Sequence, residues 1–154
     1  MLNINPKNIS TRELHKYLVS CIGPRPIALA STIDRNGNNN LSPFSFFNIF
    51  SSNPPIVIFS PSRRVRNNTT KDTLENIKET KEVVINIVTK KLVEQASLSS
   101  IEFPSDVDEF IKSGLTAIPS EIILPKRVNE SPIQLECKVN DIISLGNNGG
   151  AGNL

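Results

Sequence analysis

Ile27–Ile33 (IALASTI), Asp34-Arg35-Asn36-Gly37-Asn38 and Asn40–Phe47 (NLSPFSFF) read as a strand, a tight turn and a returning strand. Asn36-Gly37 is the strongest part of that signal, because both residues tolerate the positive φ of a two-residue hairpin turn. Pro43 offers no N–H to a ladder and pushes the returning strand towards an edge or a bulge. Asn53-Pro54-Pro55 breaks the chain, and Ile56–Ser60 (IVIFS) reads as a third, fully buried strand. No helical pattern separates these three strands. An open α/β sheet would need strands and helices to alternate throughout, so a β-barrel with helical excursions is the better solution.

Working outward, Pro61–Lys71 (PSRRVRNNTTK) is a polar loop holding Arg63, Arg64, Arg66 and Lys71 and no acidic residue. Asp72–Lys81 (DTLENIKETK) reads as a helix. Asp72 suits its cap, Glu75 follows at capping-box spacing, and Leu74 and Ile77 form a narrow apolar stripe. Glu82–Val88 (EVVINIV) is the next strand, interrupted by Asn86. Short helices follow at Leu92–Leu98 and at Val107–Ser113, the latter stopped by Gly114. Ile122–Leu124 and Ile133–Leu145 read as strands, the second long enough to bend across a barrel. Upstream, Ser10–Val19 is a short amphipathic helix, and Pro24-Arg25-Pro26 fixes an extended lead-in to the barrel. Arg25 is left facing either a ligand or a partner subunit. There is no internal repeat and no linker. The expectation is one mainly β domain with inserted helices (α+β) over residues 1–154.

The composition narrows the function. A chain of 154 residues buries roughly 70% of its unfolded surface and needs no disulfide staples. Seventeen Lys and Arg against 15 Asp and Glu leave a net charge of +2, too small for a dedicated nucleic-acid or membrane-surface binder. No apolar run approaches the roughly 20 residues of a membrane span, and the polar, Asn-rich start lacks a signal-peptide core. Cys21 and Cys137 form neither a disulfide framework nor a metal set, read as buried small hydrophobes, and place the chain in the reducing cytoplasm. His15 is the sole histidine, so a Ser-His-Asp or Cys-His mechanism would rest on it alone. No Walker loop occurs, and Gly149-Gly150-Ala151-Gly152 has no helix behind it to make a dinucleotide loop. Any chemistry is then brought by a bound cofactor.

Five strings carry a resemblance: Pro24-Arg25-Pro26-Ile27, Ser42-Pro43-Phe44-Ser45-Phe46-Phe47-Asn48, Asn53-Pro54-Pro55-Ile56-Val57, Lys71-Asp72-Thr73-Leu74-Glu75-Asn76-Ile77 and Val107-Asp108-Glu109-Phe110. In this order, from about Ile22 onward, they resemble the flavin reductase-like family with its FMN-binding split-barrel fold. The resemblance implies a homodimer that binds FMN near the subunit interface. Members include reductases driven by NADH or NADPH and flavoproteins whose electron partner is unassigned. The family pattern continues into a further barrel strand from Leu154, so the barrel is expected to be incomplete at its C-terminal end.

FMN poses two problems, a phosphate of roughly −1.5 to −2 charges and a flat ring with polar edges. The cationic loop and the start of the Asp72 helix suit the phosphate, because free helix N–H groups favour an anion. By resemblance, Ser60, Ser62, Arg63, Lys71 and Thr73 are assigned to the phosphate and ribityl end. Asp72 adds repulsion there and so caps the helix or holds one of the arginines. Strand alternation puts Phe44, Phe46 and Asn48 on one face and Ser45 and Phe47 on the other. Core packing suits Phe44 and Phe47, whereas Ser45, Phe46 and Asn48 are assigned to the ring. Ser31, Thr32 and Asn76 are weaker candidates. The same features fit two other classes, a flavin electron-transfer protein without NAD(P)H activity and a cofactor-free interaction barrel.

Overall fold

The computed structural model describes residues 3–154. After a single 3-10 turn at Pro6–Asn8, helix α1 (Thr11–Cys21) begins at Ser10, whose hydroxyl accepts from the Glu13 N–H while Glu13 returns the bond to the Ser10 N–H. This reciprocal capping box, which the sequence analysis passed over, starts the helix one residue later than expected. Strand β1 (Ala28–Ile33) turns through Asp34–Asn38 into β2 (Asn39–Phe44). Asp34 fixes that turn by accepting from the N–H groups of Asn36 at 2.9 Å and Asn38 at 2.8 Å, and Gly37 takes φ 88°. Then follow β3 (Phe47–Ser52), β4 (Pro55–Phe59), α2 (Asp72–Thr80) and β5 (Glu82–Ile87). A 3-10 turn at Lys90–Leu92 leads into α3 (Val93–Leu98). Next come α4 (Glu109–Ser113), β6 (Ala117–Ile118), β7 (Arg127–Val128) and β8 (Gln134–Lys138).

The main sheet is antiparallel in the order β2-β1-β5-β8, and β3-β4 and β6-β7 are separate two-stranded ribbons. Strand alternation sends side chains to two faces. Leu29 and Leu41 join Leu92, Ala96, Phe110, Leu115 and Val128 under α3 and α4. Ala28, Ala30, Phe44, Val83 and Ile85 meet Ile77 of α2, with Phe47 and Phe59 of the ribbon packed against them. Asn86, which interrupts the apolar run of β5, is fully buried: its amide donates to Leu29 O at 3.0 Å and accepts from Val128 N–H at 2.9 Å. It therefore ties β5 to both β1 and β7.

Several expectations need correction. The returning strand is two strands, broken at Ser45-Phe46, where the chain leaves the main sheet for the ribbon and Phe46 O accepts from Ser60 N–H at 2.9 Å. The expected alternation lapses there, leaving Phe44 buried but Phe46 and Asn48 exposed. Strand β4 is half-buried, because it pairs only with β3. Ile122–Leu124 is no strand: Glu136 accepts from the N–H groups of Glu121 and Ile122, and Glu82 from that of Leu124, so carboxylates replace a partner strand. The long C-terminal strand ends at Lys138, and the chain pairs again only at the Ser144–Asn153 bridge. Lys71, not Asp72, is the N-cap of α2, with no side-chain cap bond. Glu75 pairs with Lys78 at 2.9 Å instead of completing a capping box. Cys21 is exposed, since α1 buries none of its residues, while Cys137 is half-buried and burial pushes its thiol pKa up. Among the described residues no helix is long and apolar enough to cross a membrane, and no cluster of His, Cys, Asp and Glu could hold a metal.

Candidate functional site

The loop from Ser60 to Lys71 joins the ribbon to α2 and closes on itself: Arg64 N–H donates to Thr69 O at 2.8 Å, and Asn68 N–H to Arg64 O at 2.9 Å. Its two adjacent arginines do different things. Arg63 is spent locally, donating from Nε to Asn68 Oδ1 at 2.8 Å and from Nη2 to the Asn68 carbonyl. Arg64 lies 3.0 Å from Glu102 and 4.0 Å from Asp72, and also donates to the Thr70 carbonyl. Asp72 thus holds an arginine rather than capping its helix.

Arg64 and Lys71 line a cavity of about 210 Å³ with Thr73, with Asn40 and Ser42 of β2, and with the carboxylates of Asp72, Glu102 and Glu109. Lys71 Nζ stands 4.9 Å from the centroid of the Phe44 ring, a cation–π contact that orients the ammonium. Burial, and then the neighbouring Arg64, pull its pKa below the usual lysine value, with Glu102 opposing them. Thr73 is almost fully buried, and its hydroxyl accepts from the Asn40 amide at 2.9 Å. Asn40 and Asn76 both donate to Thr32 Oγ1, at 3.2 and 3.1 Å, so these polar side chains satisfy one another between β1, β2 and α2. A second cavity, of about 260 Å³, shares Asn40, Asp72 and Glu109 with the first and is otherwise lined largely by carboxylates and amides.

Glu109 is only 8% exposed, and its Oε2 accepts from Leu41 N–H at 3.1 Å. Burial raises its pKa, opposed by its backbone hydrogen bonds and assisted by Asp108 and Asp72. A carboxyl whose pKa is raised by folding holds its proton more tightly folded than unfolded. Its contribution is therefore most favourable below the ordinary carboxylate range and falls as pH rises through the raised value. Glu109→Gln removes the charge but keeps an acceptor for Leu41. The variant should resist urea better than the parent at about pH 7, and the gap should close towards about pH 4. A parent more stable than the variant at neutral pH would contradict this.

The remaining candidates lie at the other end of the loop. Ser45 Oγ accepts from Arg25 Nε at 3.3 Å. Arg25 also donates to the carbonyls of Val19 (2.6 Å) and Ile22, so it secures the end of α1. A cation at a helix C-terminus also complements the dipole. Phe46 is 40% exposed, with its ring centroid 5.9 Å from that of His15, and Asn48 turns its Oδ1 onto the Ile49 N–H at 2.8 Å. The structure brings Lys71 and Thr73 to one cavity, leaves Ser60, Ser62 and Arg63 in the adjoining loop, and puts Ser45, Phe46 and Asn48 at the ribbon's open edge. Sequence reasoning missed Asn40, Ser42, Arg64 and Glu109. Asn40 and Ser42 do carry a signal, as small polar residues alternating with Leu41. Nothing local distinguishes Arg64 from Arg63.

An antiparallel sheet flanked by a two-stranded ribbon and inserted helices is the architecture shared with the flavin reductase-like split-barrel proteins. Residues 21–149 match the flavin reductase like domain, and the chain belongs to that family. An uncharacterised protein of Halalkalibacterium halodurans is 38% identical over 149 residues, covering 97% of this chain and 71% of its own. Nitrilotriacetate monooxygenase component B from Bacillus cereus superposes with a TM-score of 0.92 at 32% identity, over 100% of this chain and 77% of that one. A Shewanella frigidimarina protein assigned as a flavin reductase with a split barrel domain gives 0.81 at 28% identity, over 99% and 76%.

Proposed function

We propose that this protein binds FMN and passes it reducing equivalents from NADH or NADPH, as an NAD(P)H-dependent flavin reductase. The observation that carries the reading is the cavity lined by Lys71 and Arg64 beside Asn40 and Ser42, at the far end of a loop whose first residue, Ser60, is bonded to the half-exposed Phe46. Lys71 offers a phosphate a charge-assisted hydrogen bond, and Arg64 offers a second where the phosphate displaces Glu102 and Asp72, which line the same cavity with Glu109. Ser42 adds a hydroxyl at the cavity, and Ser60 and Ser62 add hydroxyls along the loop. The size fits too. At about 210 Å³ the cavity is smaller than the roughly 300 Å³ or more that encloses a whole drug-sized ligand, so it suits one end of a nucleotide.

When bound, the flavin supplies the hydride and electron-transfer chemistry. The chain's own residues bind and orient. Lys71 and Arg64 neutralise the phosphate, Phe46 offers an apolar wall, and Ser45 and Asn48 provide polar groups for the ring edge. Ser45 already accepts from Arg25, which leaves its O–H free to donate. Tyr17, Leu18 and Ile22, with Ile49 and Phe50 of β3, form exposed apolar surface that suits a homodimer.

The test is direct. Purified protein titrated with FMN should take up one flavin per chain, sediment as a pair, and bleach on anaerobic mixing with NADH or NADPH. Protein that is colourless once free FMN has been removed by gel filtration, with no change in flavin fluorescence during the titration, would refute flavin binding. A flavin that neither nucleotide bleaches would refute the reductase and leave an electron-transfer flavoprotein.

A further inference from the structure

The glycine-rich run 149–152 folds back onto the cationic loop. Residues 143–154 form a hairpin in which Ile143 and Leu154 exchange backbone bonds, each at 2.9 Å, and Leu145 N–H donates to Gly152 O at 3.0 Å. Its outer side grips the loop. Arg63 N–H donates to Ala151 O at 2.9 Å, and Gly150 N–H returns a bond to Arg63 O at 3.0 Å. The Asn153 amide donates to Pro61 O at 3.1 Å, and the Asn68 amide to Asn147 O at 3.0 Å.

This approach leaves no room for side chains. A Cβ on Gly149 would lie 2.9 Å from Val65 Cα and 3.1 Å from Arg64 O, both backbone atoms that yield only if the loop moves. A Cβ on Gly152 would lie 2.6 Å from Ser60 Oγ. Gly150 adopts φ +91°, where any side chain is strained, and its Cβ would meet Thr11 Cγ2 at 2.7 Å.

We infer that the 149–153 strap sets the shape of the phosphate corner, making Gly149, Gly152 and Asn153 positioning residues for the anionic end of the cofactor. The inference rests on the FMN reading above and adds the element that aims its cationic loop. Displacing residues 64–65 shifts the Arg64 guanidinium, and a methyl on Gly152 turns the Ser60 hydroxyl out of its present position.

Riboflavin, which lacks the phosphate, separates positioning from general damage. Dissociation constants for FMN and riboflavin are read by flavin fluorescence for the parent, Gly149→Ala, Gly152→Ala and Asn153→Ala. The parent should prefer FMN. The glycine variants should lose that preference by on the order of tenfold, the size of one misplaced charge-assisted hydrogen bond, while riboflavin affinity stays within about twofold. Asn153→Ala adds no atoms and should shift the ratio in the same direction. It decides the matter if the two glycine variants do not fold. An FMN-to-riboflavin ratio equal to the parent's overturns the inference and leaves FMN binding intact. A parent with no preference for FMN overturns the phosphate corner itself, and the strap's role with it.

Discussion

FMN should dissociate about 10–100 times more readily from the Lys71→Ala variant than from the parent, with riboflavin nearly unaffected. The range follows from the roughly 1.5–3 kcal/mol of a hydrogen bond to a charged group, at tenfold per 1.4 kcal/mol. Lys71 is the cation best placed for this effect, because among the described residues it has no salt-bridge partner to compete with a phosphate. Arg63→Ala is the informative contrast. Its guanidinium is committed to Asn68, so its loss should change FMN affinity by only a few-fold. Burial beside Arg64 lowers the pKa of Lys71, so free protein loses this charge at a lower pH than an exposed lysine would. FMN affinity should accordingly fall earlier on the alkaline side in the parent than in Lys71→Arg. Equal FMN constants for Lys71→Ala and the parent would remove Lys71 from the site.

The second large effect concerns stability. Asn86→Leu should destabilise the protein by about 2–4 kcal/mol, read as a lower urea midpoint with an unchanged slope. The substitution conserves approximate volume, but it strips the acceptor from Val128 N–H and the donor from Leu29 O at a fully buried position. Each orphaned group costs about 1–3 kcal/mol, and Leu29, Asn86 and Val128 are all fully buried. A loss below about 1 kcal/mol would show that β7 is not anchored through this amide.

How far the sequence could be read depends on the range of the forces involved. Helix α2 and strand β5 follow from local periodicity and form where expected; the β1–β2 hairpin turns where expected, although of the Asn36-Gly37 pair only Gly37 takes a positive φ and β2 ends at Phe44. The elements misjudged depend on distant groups. Ile122–Leu124 looks like a strand until Glu82 and Glu136 satisfy its backbone, 42 and 14 residues away along the chain. The β2–β3 break depends on a bond to Ser60, and Asp72 leaves its capping role for Arg64. The same holds at the site. Cationic residue types in the loop suggested a corner for an anion, and Lys71 and Thr73 line a cavity there together with Asp72, Glu102 and Glu109. Choosing between adjacent arginines required knowing where Asn68 and Glu102 sit. Glu109 is visible only once α4 is laid against β2.

In β2, Leu41 enters the core beneath α3 and α4 while Asn40 and Ser42 face the cavity on the other side. Side-chain orientation repeats every two residues, so sliding β2 by one residue against β1 would turn the leucine into the cavity and both polar residues into the hydrocarbon layer. The buried leucine thus pins the strand's register, and a residue inserted into the exposed Asp34–Asn38 tip is taken up as extra loop length.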